Sequence, residues 1–197
     1  MIAVLAASLA LLSAVATLPA QKLPRVLMTT SLGEIEIEID SVHAPVTAAN
    51  FLRYVDAGFY NSGRVHRTVK PGNQPNNEVK IEVIQASVDT ARRRQQYPAI
   101  ELERTSVTGI SHKDGVISMA RSANVNSARS DFFICIGDQP SLDFGGARNA
   151  DGQGFAAFGR VIRGMDVVKK IQMAPATNQN LTPPIQITSA KRVTPPG

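Results

Sequence analysis

Apolar positions recur along the chain in two rhythms. In "RVLMTTSLGEIEIEID", residues 25 to 40, two apolar runs flank a short Gly-containing turn, and Ile35, Ile37 and Ile39 alternate with Glu34, Glu36 and Glu38. Period two predicts a hairpin with one buried and one wet face. In "HAPVTAANFLRYVDAGFY" the spacing becomes three and four: Ala48, Phe51, Leu52 and Val55 form a stripe, with Pro45 near the start and Gly58 past the end. That predicts an amphipathic helix lying on an apolar surface. "RVHRTV" and "VKIEVIQ" then read as strands joined by "KPGNQPNNE", whose Pro, Gly and Asn suit a long hairpin connection. "GVISMA", "DFFICIG" and "FAAFGRVI" predict further strands, "GMDVVKKIQM" a second short helix and "PIQITSAKRV" a last strand. About eight strands lacking regular alternation with helices exclude a parallel sheet. The expected fold is mainly β, a closed eight-stranded antiparallel barrel capped by two helices.

Three polar residues break the strand pattern. Strict alternation in "VHRTV" puts Arg67 on one face with Val65 and Val69, and His66 and Thr68 on the other. Gln85 shares a face with Ile81 and Val83, and Asp131 with Phe133. Two explanations stay open: strand-end side chains reaching water, or a shallow apolar cleft that holds a guanidinium.

The 197 residues are 43% hydrophobic, enough for one packed domain, expected over residues 21–197. Residues 1–20, "MIAVLAASLALLSAVATLPA", carry no charge and read as a secretory signal cut after Ala16 or Ala20, or as an uncleaved N-terminal anchor. A cleaved signal implies an extracytoplasmic, periplasmic protein, with membrane contact only if the segment stays attached. Cys135 is the single cysteine, which excludes an internal disulfide, and it reads as a small buried hydrophobe. The net charge of +5 permits weak attraction to anions. The cluster Arg92 to Arg94 lacks interleaved aromatics and reads as a solvated loop, so no specific nucleic acid is expected. His43, His66 and His112 show no metal-ligand spacing, and no metal is expected. "DFGGARNADGQGF" lacks a Lys-Ser/Thr ending and reads as a plain glycine-rich loop, while no serine has a nucleophile elbow or marked His and Asp partners.

In order along the chain, "TSLGEIEIEID", "APVTAANFLRYVDAGFY", "VHRTV", "EVIQ", "GVISMARS", "NSARSDFFICIG", "SLD" and "GFAAFGRVIRGMDVVKKI" are similar to the cyclophilins, the barrel-type peptidyl-prolyl cis-trans isomerases. The resemblance runs from about Arg25 to Val193. It implies catalysis of rotation about X-Pro bonds, no cofactor, a peptide site on the barrel's outer face, and proline-containing unfolded or flexible polypeptides as partners of a monomer. By that resemblance Arg67 is the catalytic residue and His66 its neighbour in the substrate site. Val83, Phe133, Leu142 and Phe155 line the proline pocket, Gln85 orients Arg67, and Ala120, Arg121 and Ser122 border the substrate backbone; Met119 and Phe132 are structural.

The chain departs from the family's pattern at several positions. Glu82 stands for a Phe of the pocket wall, Val83 for a larger Met, Asp131 for a Gln, and Ser141 for a large residue that helps bind a cyclic-peptide inhibitor. Asp131 is expected to tether Arg67 or to meet a cation of the substrate. The alternative function is a proline-peptide binding module or holdase with little or no turnover.

Overall fold

The computed structural model describes residues 22–194; the leader expected over residues 1–20 lies outside the described residues. The isoleucine alternation does form a hairpin, β1 (Arg25–Thr30) and β2 (Gly33–Ile39), in which Ile35, Ile37 and Ile39 are buried. The other strands are β3 (Gly63–Val69), β4 (Val83–Ser87), β5 (Val116–Met119), β6 (Phe132–Cys135), β7 (Ala156–Arg163), β8 (Ala176–Thr177) and β9 (Asn180–Val193). Neighbours run β1-β2-β7-β5-β6-β4-β3-β9, all antiparallel, and β9 pairs back onto β1. Eight strands therefore close on themselves and leave no free edge in the ring. The two-residue β8 stays outside it, paired with β9 alone.

The helical stripe becomes α1 (Pro45–Asp56), and α3 (Met165–Gln172) follows β7; a single turn, α2 (Thr105–Thr108), falls between β4 and β5 and carries no periodic signal. Phe51, Leu52 and Val55 of α1 and Val168 and Ile171 of α3 join the inward residues of the strands in one core. At its centre Phe51 meets Phe132 edge-on at 5.4 Å and Phe158 at 5.1 Å. Ala44 offers no side-chain cap to α1. The Glu103 carboxylate, distant in sequence, accepts from Val46 N at 3.0 Å and Thr47 N at 2.7 Å instead. It satisfies two of the orphan amides and places negative charge at the positive helix end.

A second apolar cluster lies on the outer face: Val69, Ile81, Val83, Phe133, Cys135 and Leu142. Strict alternation fails in β3 between the two clusters. Val65 pairs with Ala86 but Arg67 with Gln85, so β3 spends two steps where β4 spends one, and His66 is the extra residue of a β-bulge. Val65 consequently points into the barrel, whereas Arg67 and Val69 point out. The expectation that Arg67 shares a face with Val65 is thus wrong by the bulge; with Val69 it holds.

Candidate active site

Outward residues of β3, β4 and β6 meet the loop before β7 around a cavity of about 230 Å³. Its apolar wall comes from Val83, Phe133, Leu142 and Phe155, with Ile81 beside them. The rings of Phe133 and Phe155 stand edge-on at 5.3 Å. Leu142 belongs to a 3-10 turn, Pro140–Leu142, and its carbonyl accepts from Phe155 N at 3.0 Å, which ties the two ends of the intervening glycine-rich loop together. Gly154 allows that closure: its φ is +66°, and a Cβ there would lie 2.6 Å from the Asp143 carbonyl carbon.

Arg67 supplies the polar wall. Its Nη1 donates to Gln85 Oε1 at 2.9 Å, its Nε to Gln179 Oε1 at 2.9 Å, and its Nη2 to the same Gln179 oxygen. Gln179, in the turn between β8 and β9, is itself fixed by donating to Asn73 O at 3.0 Å. Three of the five guanidinium N–H donors are engaged by these glutamines, leaving two for a ligand. Burial lowers the pKa of Arg67, and the nearby Arg148 charge lowers it further. An arginine nevertheless stays cationic at physiological pH. Neutral amide oxygens orient it without quenching its charge.

Gln85 and Ala120 also border an adjoining pocket of about 270 Å³, shared with Arg121, Ser122 and Asp131. Ala120 N donates to Asp131 O at 2.8 Å, which aligns the segment Ala120–Ser122 along the pocket. The Asp131 carboxylate binds Arg93 Nη2 at 3.1 Å and makes no contact with Arg67, so the expected tether is absent. The basic cluster is likewise more than a solvated loop. It forms a 3-10 turn, Thr90–Gln95, in which Arg92 stacks over the Phe59 ring at 3.7 Å while Arg93 holds Asp131. The Arg121 side chain is 1% exposed and its donors are engaged within the protein: Nε donates to Gly154 O at 2.8 Å, and Nη2 to Asp151 at 2.9 Å. It secures the glycine-rich loop.

His66 borders neither pocket. It is half-buried with Nδ1 unpartnered, and burial pushes its pKa down against the opposing pull of Asp131. Glu82 is not in the pocket wall either. Its carboxylate turns to α3, accepting from Gln172 Nε2 at 2.9 Å, and Ile81 faces the cavity instead.

Behind Phe133 lies a hydrogen-bonded series that sequence reading missed. His112 Nδ1 is 2.7 Å from Asp143 and its Nε2 is 2.9 Å from Ser118 Oγ, while the imidazole stacks on Phe133 at 5.9 Å between centroids. Burial opposes ionisation of Asp143, but the bonds from His112 hold its carboxyl below the usual range. Serine, histidine and aspartate here match a hydrolase triad in connectivity. Ser118 is 0% and His112 1% exposed, however, so no substrate reaches them; what they do is brace Phe133 from below. Among the described residues no group of three or more His, Cys, Asp or Glu side chains could hold a metal ion, and no helix is long and apolar enough to cross a membrane.

Residues 25–192 match the family described as cyclophilin type peptidyl-prolyl cis-trans isomerase/CLD. The chain is 37% identical over 171 residues to peptidyl-prolyl cis-trans isomerase A of Dickeya dadantii, covering 84% of this chain and 83% of that protein. It is 36% identical over 154 residues to a peptidyl-prolyl cis-trans isomerase of Acinetobacter baylyi, covering 78% and 74%. A cyclophilin-type isomerase of Cryptosporidium parvum superposes with a TM-score of 0.70 at 19% identity, over 88% of this chain and 99% of that one. The same Cryptosporidium protein, crystallised in the presence of the dipeptide Ala-Pro, superposes at 0.69 over 87% and 99%, with 20% identity.

Proposed function

The chain belongs to the cyclophilin-type peptidyl-prolyl cis-trans isomerases, and from that premise we propose that Arg67 is its catalytic group and that it turns X-Pro bonds of polypeptides exported with it. The observation that carries the assignment is a guanidinium fixed by two glutamines beside the apolar wall of a cavity large enough for a proline ring. Amide resonance sets a barrier of about 18–20 kcal/mol to rotation. No bond breaks, so catalysis requires only that the twisted amide be bound better than either planar form. Val83, Phe133, Leu142 and Phe155 hold the ring as the fixed end while the preceding residue swings. As the amide twists, its nitrogen loses conjugation and gains a lone pair. In this reading the two free N–H groups of Arg67 donate to that lone pair, and their fixed direction makes the bond stronger in the transition state than in the ground state.

Ala120 and Ser122 border the chain on the amino side of the proline, and Arg121 and His66 act indirectly, through the loop and the bulge. The binding-module alternative rested on a pocket remodelled by Glu82 and Asp131. Glu82 turning to Gln172 and Asp131 pairing with Arg93 support turnover instead. The uncharged leader supports an extracytoplasmic, periplasmic location and unfolded exported chains as substrates.

Exchange NMR on short Xaa-Pro peptides tests the activity: catalytic amounts of the protein are expected to broaden the cis and trans signals together. Unaltered exchange at stoichiometric protein overturns the assignment. N-terminal sequencing of the mature chain from the extracytoplasmic fraction, expected to begin near Thr17 or Gln21, tests the location; full-length protein in the cytosol contradicts it.

A further inference from the structure

The glycine-rich loop after Leu142 brings a second guanidinium to the cavity. Arg148 N donates to Ser141 O at 3.1 Å and Arg148 Nη1 to Val79 O at 2.6 Å, so both its backbone and its side chain are anchored at the rim, with Asn149 beside it. Arg148 and Arg67 both line this one cavity, and among the described residues neither guanidinium pairs with a carboxylate within 4.0 Å. Burial lowers the pKa of both, as expected for partly desolvated cations without a counter-ion. A neutral proline ring leaves that positive potential uncompensated. On the Ala120–Ser122 side Asp131 is paired with Arg93 and Asp151 with Arg121, and one further arginine, Arg129, donates to Tyr97 O. Two guanidinium groups without a counter-ion thus border the ring pocket itself, where a carboxylate next to a bound proline would meet them.

Resting on the isomerase reading, we infer that this site selects prolines bearing a carboxylate immediately on their carboxyl side, either an Asp or Glu that follows the proline or the chain-terminal carboxylate of a final proline. Arg148 is the specificity-determining residue, supplying the counter-charge while Arg67 serves the amide. The glycine-rich loop that sequence reading leaves without a role then has a task.

The test compares kcat/KM by exchange NMR for peptides Ala-Ala-Ala-Pro-Yaa-Ala-amide with Yaa Asp, Ala or Lys, and for Ala-Ala-Ala-Pro as free acid or amide. Pairing at a partly exposed cation gives an expected preference of about three- to tenfold for Asp over Ala, with Lys lowest, shrinking toward one in 1 M salt. Which arm shows it separates an acidic following residue from a terminal carboxylate. Arg148→Gln is expected to bring the Asp to Ala ratio near one, and Arg148→Glu to reverse the order of Asp and Lys. Ratios within one variant are insensitive to the fraction folded. Equal turnover of all peptides by the unaltered protein, or an Asp preference that survives in Arg148→Gln, overturns the inference and leaves the isomerase reading intact. No turnover of any peptide removes that reading and the inference with it.

Discussion

Gln85 and Gln179 grip Arg67 on two edges, so the direction of its free donors depends on amides from β4 and from the turn before β9. Gln179→Ala leaves Nε without an acceptor in a half-buried site, a loss of about 1–2 kcal/mol that lowers kcat five- to thirtyfold with KM little changed. A drop confined to KM contradicts the orienting role. His66 gives a pH prediction. Its folded pKa lies below the ordinary 6.5, chiefly through burial, so the unfolded chain binds the extra proton. Stability is therefore complete above about pH 6.5 and declines as the pH falls from there toward the folded pKa. His66→Gln should flatten urea-denaturation midpoints between pH 7 and 5; an unchanged slope contradicts the assignment. Asp143, held low by His112, acts in a separate window, its contribution being lost only as pH falls below its usual 3.8. Gln85 and Phe133 are legible as outward residues because strict alternation holds in β4 and β6, whereas Arg67 stands out only as a polar break in its strand, and its role comes from the family resemblance. Gln179 and Arg148 are not, since they sit in turns where no period marks them. The Asp143–His112–Ser118 series is assembled only by folding.

Sequence periodicity locates β1 to β7, α1 and α3 because each has one face in the core, and period is the trace that face leaves. It fails where an extra residue enters: the bulge at His66 shifts the phase of β3, which sends Val65 inward and Arg67 outward. Without the bulge, Arg67 and Thr68 would exchange faces and the guanidinium would enter the core. The cap of α1 is equally invisible from local sequence, since the capping carboxylate comes from Glu103, beyond the β3–β4 hairpin. Glu103→Ala should cost about 1 kcal/mol and lower Tm by about 2–4 °C in a domain of this size. Isomerase kcat should not move, because Glu103 lies outside both pockets. An unchanged Tm in calorimetry contradicts the capping role.

At the scale of the molecule, the closed barrel gives a rigid wall with two apolar faces on some strands. Ile84, Phe132 and Ile134 fill the interior while Val83, Phe133 and Cys135 serve the outer cluster, so the substrate cleft is built on strands that the core already holds in place. That rigidity suits the role proposed for Arg67, since a donor contributes most where it needs no reorganisation during the reaction. In the proposed function Arg67 performs the catalysis and the barrel positions it. Exchange NMR on one Xaa-Pro peptide with Arg67→Ala and Arg67→Lys, each shown by circular dichroism and melting to keep the fold, tests this most directly. Loss of one preorganised donor costs about 3–4 kcal/mol, so Arg67→Ala should lower kcat/KM roughly a hundred- to a thousandfold. Lysine should restore little, lacking the planar fork that two glutamines hold. Near-native exchange rates in folded Arg67→Ala contradict the account.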